Sequence, residues 1–158
     1  KCANILYLMF DSIFLTKTKK RRVIAKRKSK TPKRLEWHAD TELTQRVRGL
    51  VDAVEFSHIL KHRIFSFRTD GSKARAYART WAFPKIFQTV LEIEPAYVIE
   101  VLNKYYNKLT EEEKTKVLIH ELLHIPRNFS GSLLPHSNGY KTIEREVDRI
   151  YREMKGRE

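Results

Sequence analysis

Residues 110–126 read TEEEKTKVLIHELLHIP, and this stretch decides the fold because it holds a helix start, an apolar helix and a helix stop. Thr110 and Glu113 have the spacing of a capping box, in which each side chain accepts a hydrogen bond from the other residue's backbone N–H. Pro126 lacks an N–H and disfavours helix in the residue before it. The stretch therefore predicts one helix from its capping box to its proline, apolar over most of its circumference and buried.

Inside this helix, residues 120–124 spell His-Glu-Leu-Leu-His, the H-E-x-x-H pattern of zinc-dependent hydrolases. Two histidines four residues apart lie on one helix face, so both imidazoles can reach the same ion. Glu121 lies about 100° around the helix from His120, where it can hold a water molecule and accept its proton. The motif predicts a Zn²⁺ ion bound by His120 and His124, with Glu121 as the general base.

Catalytic zinc commonly takes three protein ligands, so a third ligand must come from another part of the chain. We favour His136, because the loop that precedes it contains Gly131 and Pro135 and is long enough to fold back over the helix end. The rivals are carboxylates of the last predicted helix, which could instead bind the second nitrogen of a ligand histidine: Glu144, Glu146 and Asp148.

The motif also resembles a known family. The segment HELLHIP at 120–126, followed by PHSNGY at 135–140, is similar to SprT-like zinc metallopeptidases, which carry a third histidine in a P-H-G-x-x-aromatic type segment. It resembles more closely still a metallopeptidase group of archaea and their viruses, which shares segments similar to 95–101 and 109–114. The resemblance covers residues 40–140 and is strongest toward the motif.

This resemblance implies a zincin-like fold, with His120, His124 and His136 as zinc ligands. It also implies that Glu121 is the catalytic base and that the substrate is a polypeptide. Ser137 stands where the SprT-like pattern often has glycine, so the loop geometry after the third histidine departs from that pattern.

The residues outside the motif predict a small α+β domain with an N-terminal helix, a mainly antiparallel sheet, the H-E-x-x-H helix and a C-terminal helix. Asp40 can cap a first helix that ends near Phe56. Strands are predicted at 63–68 and 74–82, with a hairpin signal at Asp70-Gly71 between them. Residues 84–91 fit a strand or a helical turn. Apolar residues recur on one stripe of each flanking helix: Leu43, Val47, Leu50, Val51 and Val54 in the first, Ile143, Val147, Ile150, Tyr151 and Met154 in the last.

A further strand is predicted at Tyr97–Leu102. If it lies at the sheet edge, a substrate polypeptide could add beside it as another strand. The alternative is an ordinary interior strand. Tyr140 and Arg127 are the candidates nearest to the motif for stabilising an oxyanion, although a packing or surface role is the simpler interpretation of each. His58 and His62 are also four residues apart, but no glutamate follows His58, and we expect a surface role for both.

The charge divides the chain into two parts. Net charge is +13 over 158 residues, and residues 17–34 contain eleven Lys or Arg and no acid, whereas 35–158 is nearly neutral. We therefore predict a leader at 1–34, apolar and then basic, and a catalytic domain at 35–158. The basic run could bind DNA or RNA, serve as a localisation signal or be a solvated segment. Because it contains no aromatic residue, base stacking by the run itself is not expected.

Composition limits the remaining classes. The apolar stretch at 3–15 is too short to span a bilayer. Cys2 is the single cysteine, which excludes a disulfide framework and a Cys-rich structural zinc site and fits a cytoplasmic protein. Two alternatives to a peptidase remain: a nucleic-acid-associated protein with a regulatory or inactive zinc site, and a metallohydrolase that acts on a non-peptide amide.

Overall fold

The computed structural model describes residues 34–135 and 140–157; of residues 140 and 141 it describes the backbone only. These residues form an α+β domain. Its four strands are β1 (Glu36–Ala39), β2 (Ile64–Asp70), β3 (Ala78–Ala82) and β4 (Tyr97–Leu102). Its helices are α1 (Thr41–Ala53), α2 (Lys85–Leu91), α3 (Asn103–Tyr106), α4 (Glu111–Leu123) and α5 (Tyr140–Lys155), with a short 3-10 turn at Lys61–Arg63.

The sheet is mixed, with the strand order β1-β2-β4-β3. β1 pairs antiparallel with β2, β2 pairs parallel with β4, and β4 pairs antiparallel with β3. Two of the three pairings are thus antiparallel, and the parallel pairing lies at the centre of the sheet. No sequence pattern indicated β1, whose four residues are all exposed.

The strand order contradicts one prediction and decides between two alternatives that the sequence left open. Asp70-Gly71 does not close a hairpin between neighbouring strands, because β4 lies between β2 and β3 and pairs with both. Tyr97–Leu102 is an interior strand and not an edge strand for the same reason. Five of its six residues are buried, and an apolar strand that is covered on both faces is stabilised by a neighbour on each side. Gly71 still makes a turn at a φ of 74°, but the connection 71–77 carries the chain past β4.

Alternation of side chains gives the sheet two different faces. The helix-covered face carries Tyr97, Ile99 and Val101 of β4, which belong to the same hydrophobic core as Leu118 and Leu122 of α4. The outer face carries the intervening residues of each strand: Trp37, Ala39, Phe65, Phe67, Thr69, Arg79, Trp81, Val98, Glu100 and Leu102. The candidate site lies on the helix-covered side, where Thr80 of β3 contacts Glu121.

The helix ends follow local sequence signals. Asp40 caps α1 by accepting a hydrogen bond from Leu43 N–H at 2.8 Å, as predicted, although the helix ends at Ala53 and not near Phe56. The capping box of α4 is present in both directions between Thr110 and Glu113. The ambiguous segment before β4 is the helix α2. In the part of the chain that the structure describes, no helix is long and apolar enough to cross a membrane.

Candidate metal and catalytic site

The two motif histidines lie at the C-terminal end of α4. His120 is in the last helical turn, and His124 is the C-cap residue, with helical backbone angles of −73° and −13°. Their ring centroids are 5.2 Å apart and the ring planes are inclined by 70°. The spacing of four residues thus brings the two imidazoles into contact on one side of the helix, as the sequence predicts.

His124 is buried, and a backbone carbonyl fixes its orientation. Its Nδ1 lies 2.8 Å from the carbonyl oxygen of Leu134, which can only accept a hydrogen bond. Nδ1 therefore carries the proton and Nε2 keeps its lone pair. Burial lowers the pKa of His124, partly offset by this hydrogen bond, so the neutral ring is favoured. A neutral imidazole with one nitrogen held by a carbonyl is the usual state of a metal-binding histidine.

Glu121 is the buried carboxylate of the site, with only 5% of its surface exposed. The hydroxyl of Thr80, in β3, lies 2.9 Å from both the Glu121 carbonyl oxygen and its Oε2. Burial raises the pKa of Glu121 to about 7, although the hydrogen bonds from Thr80 lower it. Sequence analysis missed Thr80, because nothing in the local pattern of β3 indicates a partner 41 residues away.

The segment 130–134 holds the site together from the other side. Leu134 N–H donates to the His124 carbonyl at 2.8 Å, so Leu134 contacts His124 through both of its backbone polar groups. The Tyr97 hydroxyl accepts from Gly131 N–H at 2.9 Å and donates to the Ser132 carbonyl at 3.0 Å. Gly131 has a φ of 78°, and a Cβ there would lie 2.7 Å from the Phe83 carbonyl oxygen, so only glycine fits.

The same segment also contacts α2. The Gln88 amide donates to the carbonyl oxygens of Phe83 at 2.6 Å and Ser130 at 3.3 Å. Gln88 thus packs toward the site, whereas the opposite stripe of α2 is exposed and apolar: Ile86, Phe87, Val90 and Leu91. An apolar stripe that faces solvent next to a candidate active site is typical of a surface that binds another molecule.

The proposed third ligand, His136, lies outside the described residues. Of the rival carboxylates, Glu146 pairs with Arg149 at 2.6 Å and Asp148 pairs with Lys116 at 2.9 Å. Within residues 34–135 and 140–157, no group of three or more His, Cys, Asp or Glu is arranged to hold a metal ion.

The remaining candidates occupy other positions. Arg127 is exposed in the turn after α4, and Tyr140 begins α5, with its side chain outside the description. His62 is exposed in the 3-10 turn before β2. The ring of His58 lies 5.6 Å from that of Phe56. Burial and the charge of Arg127 lower the pKa of His58, although a hydrogen bond from its ring to the Ile125 backbone raises it.

Comparison with known proteins now places the chain. A family model described as "Putative phage metallopeptidase" matches residues 35–155. The chain belongs to this phage metallopeptidase family. No curated protein and no solved structure matches it.

A metallopeptidase family implies a metal cofactor, and the donor atoms of this chain fit one. His120 and His124 present two imidazoles from one helical turn, and the Leu134 carbonyl leaves His124 Nε2 as an acceptor. Nitrogen donors of this kind suit Zn²⁺ and other first-row divalent metals better than Mg²⁺ or Ca²⁺, which prefer oxygen. The chain thus has two suitable ligands and a buried carboxylate between them in sequence.

Proposed function

We propose that this protein is a zinc-dependent peptidase of zincin-like, SprT-like type, with residues 35–158 as its catalytic domain, and that it acts in the cytoplasm. One observation carries the proposal. Thr80 in strand β3 binds Glu121 of the H-E-x-x-H motif, while the Leu134 carbonyl orients His124 three residues further on. A sheet strand, a buried carboxylate and an oriented imidazole thus meet at one place.

The roles of the residues follow from chemistry. His120, His124 and, as third ligand, His136 would hold the ion, which when bound lowers the pKa of water and polarises a carbonyl. Glu121 accepts the proton from the attacking water and delivers it to the leaving amine. Thr80 holds the Glu121 carboxylate through Oε2, so its role is positioning. Glu121 and His124 are buried, so bulk water is excluded around them. Electrostatic interactions of the carboxylate and of the imidazole are stronger where water is excluded.

The sheet supports a polypeptide substrate over a small amide. β3 is the last strand in the order of the four described strands, and it is the strand that contacts Glu121. An extended chain that pairs with β3 would carry its backbone past the carboxylate. The exposed apolar stripe of α2, which follows β3 after two residues, would then contact apolar side chains of the substrate. This position replaces Tyr97–Leu102 as the candidate substrate-binding strand.

The experiment combines metal analysis with hydrolysis of an unfolded protein such as casein. Glu121→Gln is expected to keep one equivalent of zinc and to lose activity by about 10²–10⁴-fold, the usual contribution of a general base. His136→Ala and His120→Ala are expected to lose both zinc and activity.

Two surface variants are the matched controls. Glu112→Gln lies on the exposed side of the same helix, and His62→Ala is exposed elsewhere; both should retain zinc and activity. Full activity of Glu121→Gln would show that another group is the base. Normal zinc binding by His136→Ala would make a carboxylate of the last helix, Glu144, Glu146 or Asp148, the better third ligand. Hydrolysis of small amides with no cleavage of casein would contradict the polypeptide substrate.

A further inference from the structure

Helix α2 has the reverse of the usual amphipathic arrangement. A surface helix normally turns its apolar stripe toward the core and its polar residues toward water. In this fully described helix no residue is buried, and the one that is not exposed is the polar Gln88. Four apolar side chains are exposed by 52% to 73%: Ile86, Phe87, Val90 and Leu91. They span about 140° of the helix circumference, and Lys85, Gln88 and Thr89 occupy the other side.

Gln88 fixes this orientation of the helix. Its amide donates to the carbonyl oxygens of Phe83 and Ser130, so the polar side of α2 is tied to the segment that leads to the contact with His124. A helix of seven residues is too short to be stable alone and depends on such tertiary contacts. The ring of Phe87 lies 5.8 Å from that of Phe83, the residue that follows β3. The apolar stripe is therefore held toward solvent, directly beyond the end of β3.

Exposed apolar side chains also occur beside the motif. Leu133 and Leu134, on the segment that begins at the Gln88 contact, are 41% and 46% exposed. Leu134 N–H donates to the His124 carbonyl, and the Leu134 carbonyl accepts from His124 Nδ1, both at 2.8 Å. An exposed leucine thus adjoins a candidate metal ligand. We call the six residues the apolar surface: Ile86, Phe87, Val90, Leu91, Leu133 and Leu134.

The neighbours of the apolar surface indicate what covers it. β3 is the last strand in the order of the described strands, and only two residues separate its end from α2. Thr80 of β3 contacts Glu121, and Leu134 contacts His124. An extended polypeptide that pairs with the outer edge of β3 would therefore pass the motif and reach the apolar surface. The surface belongs to the surroundings of the candidate active site and is not a separate patch.

The chemistry of the apolar surface determines what it selects. None of its six side chains carries a charge or a hydrogen-bonding group. A polar substrate side chain placed there would lose its water without gaining a partner, which costs free energy. A large apolar side chain would remove its own area and that of the surface from water, and this stabilises the complex in proportion to the area buried. Aliphatic and aromatic side chains are therefore favoured.

We infer that the apolar surface determines the specificity of the proposed peptidase, by selecting extended polypeptide segments that carry a large aliphatic or aromatic side chain. The inference rests on the proposed function and adds to it the class of sequence that is cleaved. In folded proteins such side chains are mostly buried, so the segments that can reach the surface are those of unfolded chains.

The first test is the binding of two labelled peptides to the full-chain Glu121→Gln variant, which is expected not to hydrolyse them. One peptide has a single Leu among Ser and Thr residues, and the other has Ser in place of that Leu. Anisotropy is expected to show about tenfold tighter binding of the Leu peptide. Val90→Thr, which replaces a methyl group with a hydroxyl, combined with Leu91→Gln should remove most of this preference.

The second test is steady-state hydrolysis of the Leu peptide by the zinc-loaded chain. The same double variant, made without Glu121→Gln, is expected to raise KM by about tenfold with little change in kcat, because it loses binding that is equal in the ground state and the transition state. Two matched controls should behave as the native chain: Thr89→Ala, on the polar side of α2, and Phe65→Gln, which removes an apolar side chain 42% exposed on the outer face of the sheet. All these variants should bind as much zinc as the native chain.

The outcomes separate this inference from the proposed function. Equal binding of the two peptides, or a preference for Leu that survives the double substitution, would overturn the inference even if casein is hydrolysed. A preference that the double substitution removes, with no hydrolysis by the native chain, would support selection by the apolar surface and contradict the peptidase. Self-association that Val90→Thr abolishes in sedimentation, with neither peptide bound, would show that a second copy covers the surface and would overturn the inference.

Discussion

Two glutamates are buried in the part of the chain that the structure describes, and they lie on opposite faces of the same sheet and differ in how they are held. Glu100, on the outer face, has one donor on each oxygen, the Thr69 hydroxyl and the Trp81 indole N–H. Glu121, on the helix-covered face, receives the Thr80 hydroxyl on Oε2 and belongs to the same H-E-x-x-H motif as His120 and His124. Burial alone does not identify a catalytic base; the partners of each carboxylate distinguish a structural group from a reactive one.

The largest contrast is expected in stability. Glu100→Met removes both acceptors and leaves the Thr69 hydroxyl buried without its partner, so the free energy of unfolding should fall by about 2 kcal/mol and the melting temperature by roughly 5 °C. Glu100→Gln should recover most of this loss, because its amide can accept from Trp81 and donate to Thr69. Chemical denaturation and thermal melting measure both effects.

Glu121→Gln is expected to affect activity and not stability, the opposite of Glu100→Met. It should change stability little, because it removes a buried charge while keeping the shape, yet it should abolish hydrolysis. The effect of substituting Glu100 on stability thus depends on hydrogen-bonding capacity, whereas the effect of substituting Glu121 on hydrolysis depends on charge. If Glu100→Gln lost activity at full stability, or if Glu121→Gln unfolded the domain, the assignment of structural and reactive roles would be reversed.

The sequence predicted the parts of this site that depend on neighbours along the chain. The capping box, the burial of the C-terminal half of the helix and the pairing of His120 with His124 all follow from spacing within one helix, and the structure has each of them. The N-terminal half, predicted to be buried as well, is exposed or half-buried. The cap of α1 by Asp40 is of the same kind. Local hydrogen bonds and helical periodicity fix such features whatever the rest of the fold does.

Strand order could not be predicted in this way. Asp70-Gly71 is a good turn signal, but whether β2 pairs with β3 or with β4 depends on which strand buries more apolar surface between two neighbours. The contact of Thr80 with Glu121 follows from that order, because β3 reaches the motif helix only as the outermost described strand. His136 lies outside the described residues, so the third ligand stays a prediction from sequence.

Thr80 and Thr69 offer a second, smaller contrast, since each hydroxyl donates to one of the two buried glutamates. Thr80→Val should lower kcat by about tenfold with little change in KM, because the carboxylate loses the donor that holds it in place. Thr69→Val should lower stability by about 1 kcal/mol and leave kcat unchanged.

Rescue separates positioning from packing. Thr80→Ser keeps the hydroxyl and should restore kcat, whereas a purely steric role for Thr80 would leave Ser as impaired as Val. An equal rise of KM in Thr80→Val would instead indicate that Thr80 contacts the substrate strand.

The smallest effect concerns the ion pair between Asp40 and Arg68 on the helix-covered side. Burial raises the pKa of Asp40, but hydrogen bonds from Leu43 N–H and the Arg68 guanidinium outweigh it, so the pKa lies below its ordinary value. A depressed pKa contributes stability above the unfolded value of about 3.9, and this contribution is lost as pH falls through the lower folded value. Asp40→Asn keeps the helix cap and removes the charge. It should therefore be slightly less stable than the native chain at pH 7 and lose stability less steeply below pH 4.

Denaturant unfolding between pH 2 and pH 7 would show the difference in slope. Asp52→Asn is the matched control, because Asp52 pairs with Lys61 through side chains that are 61% and 47% exposed, and an exposed pair contributes little. Parallel curves for the native chain and Asp40→Asn would mean that capping alone accounts for Asp40. Because the Asp40 side chain accepts from Leu43 and Arg68, and the two glutamates accept from other donors, casein hydrolysis at pH 7 and the fluorescence of Trp37 and Trp81 should stay constant. A change in either would show that the two faces of the sheet do not respond independently, which is the premise on which the whole comparison depends.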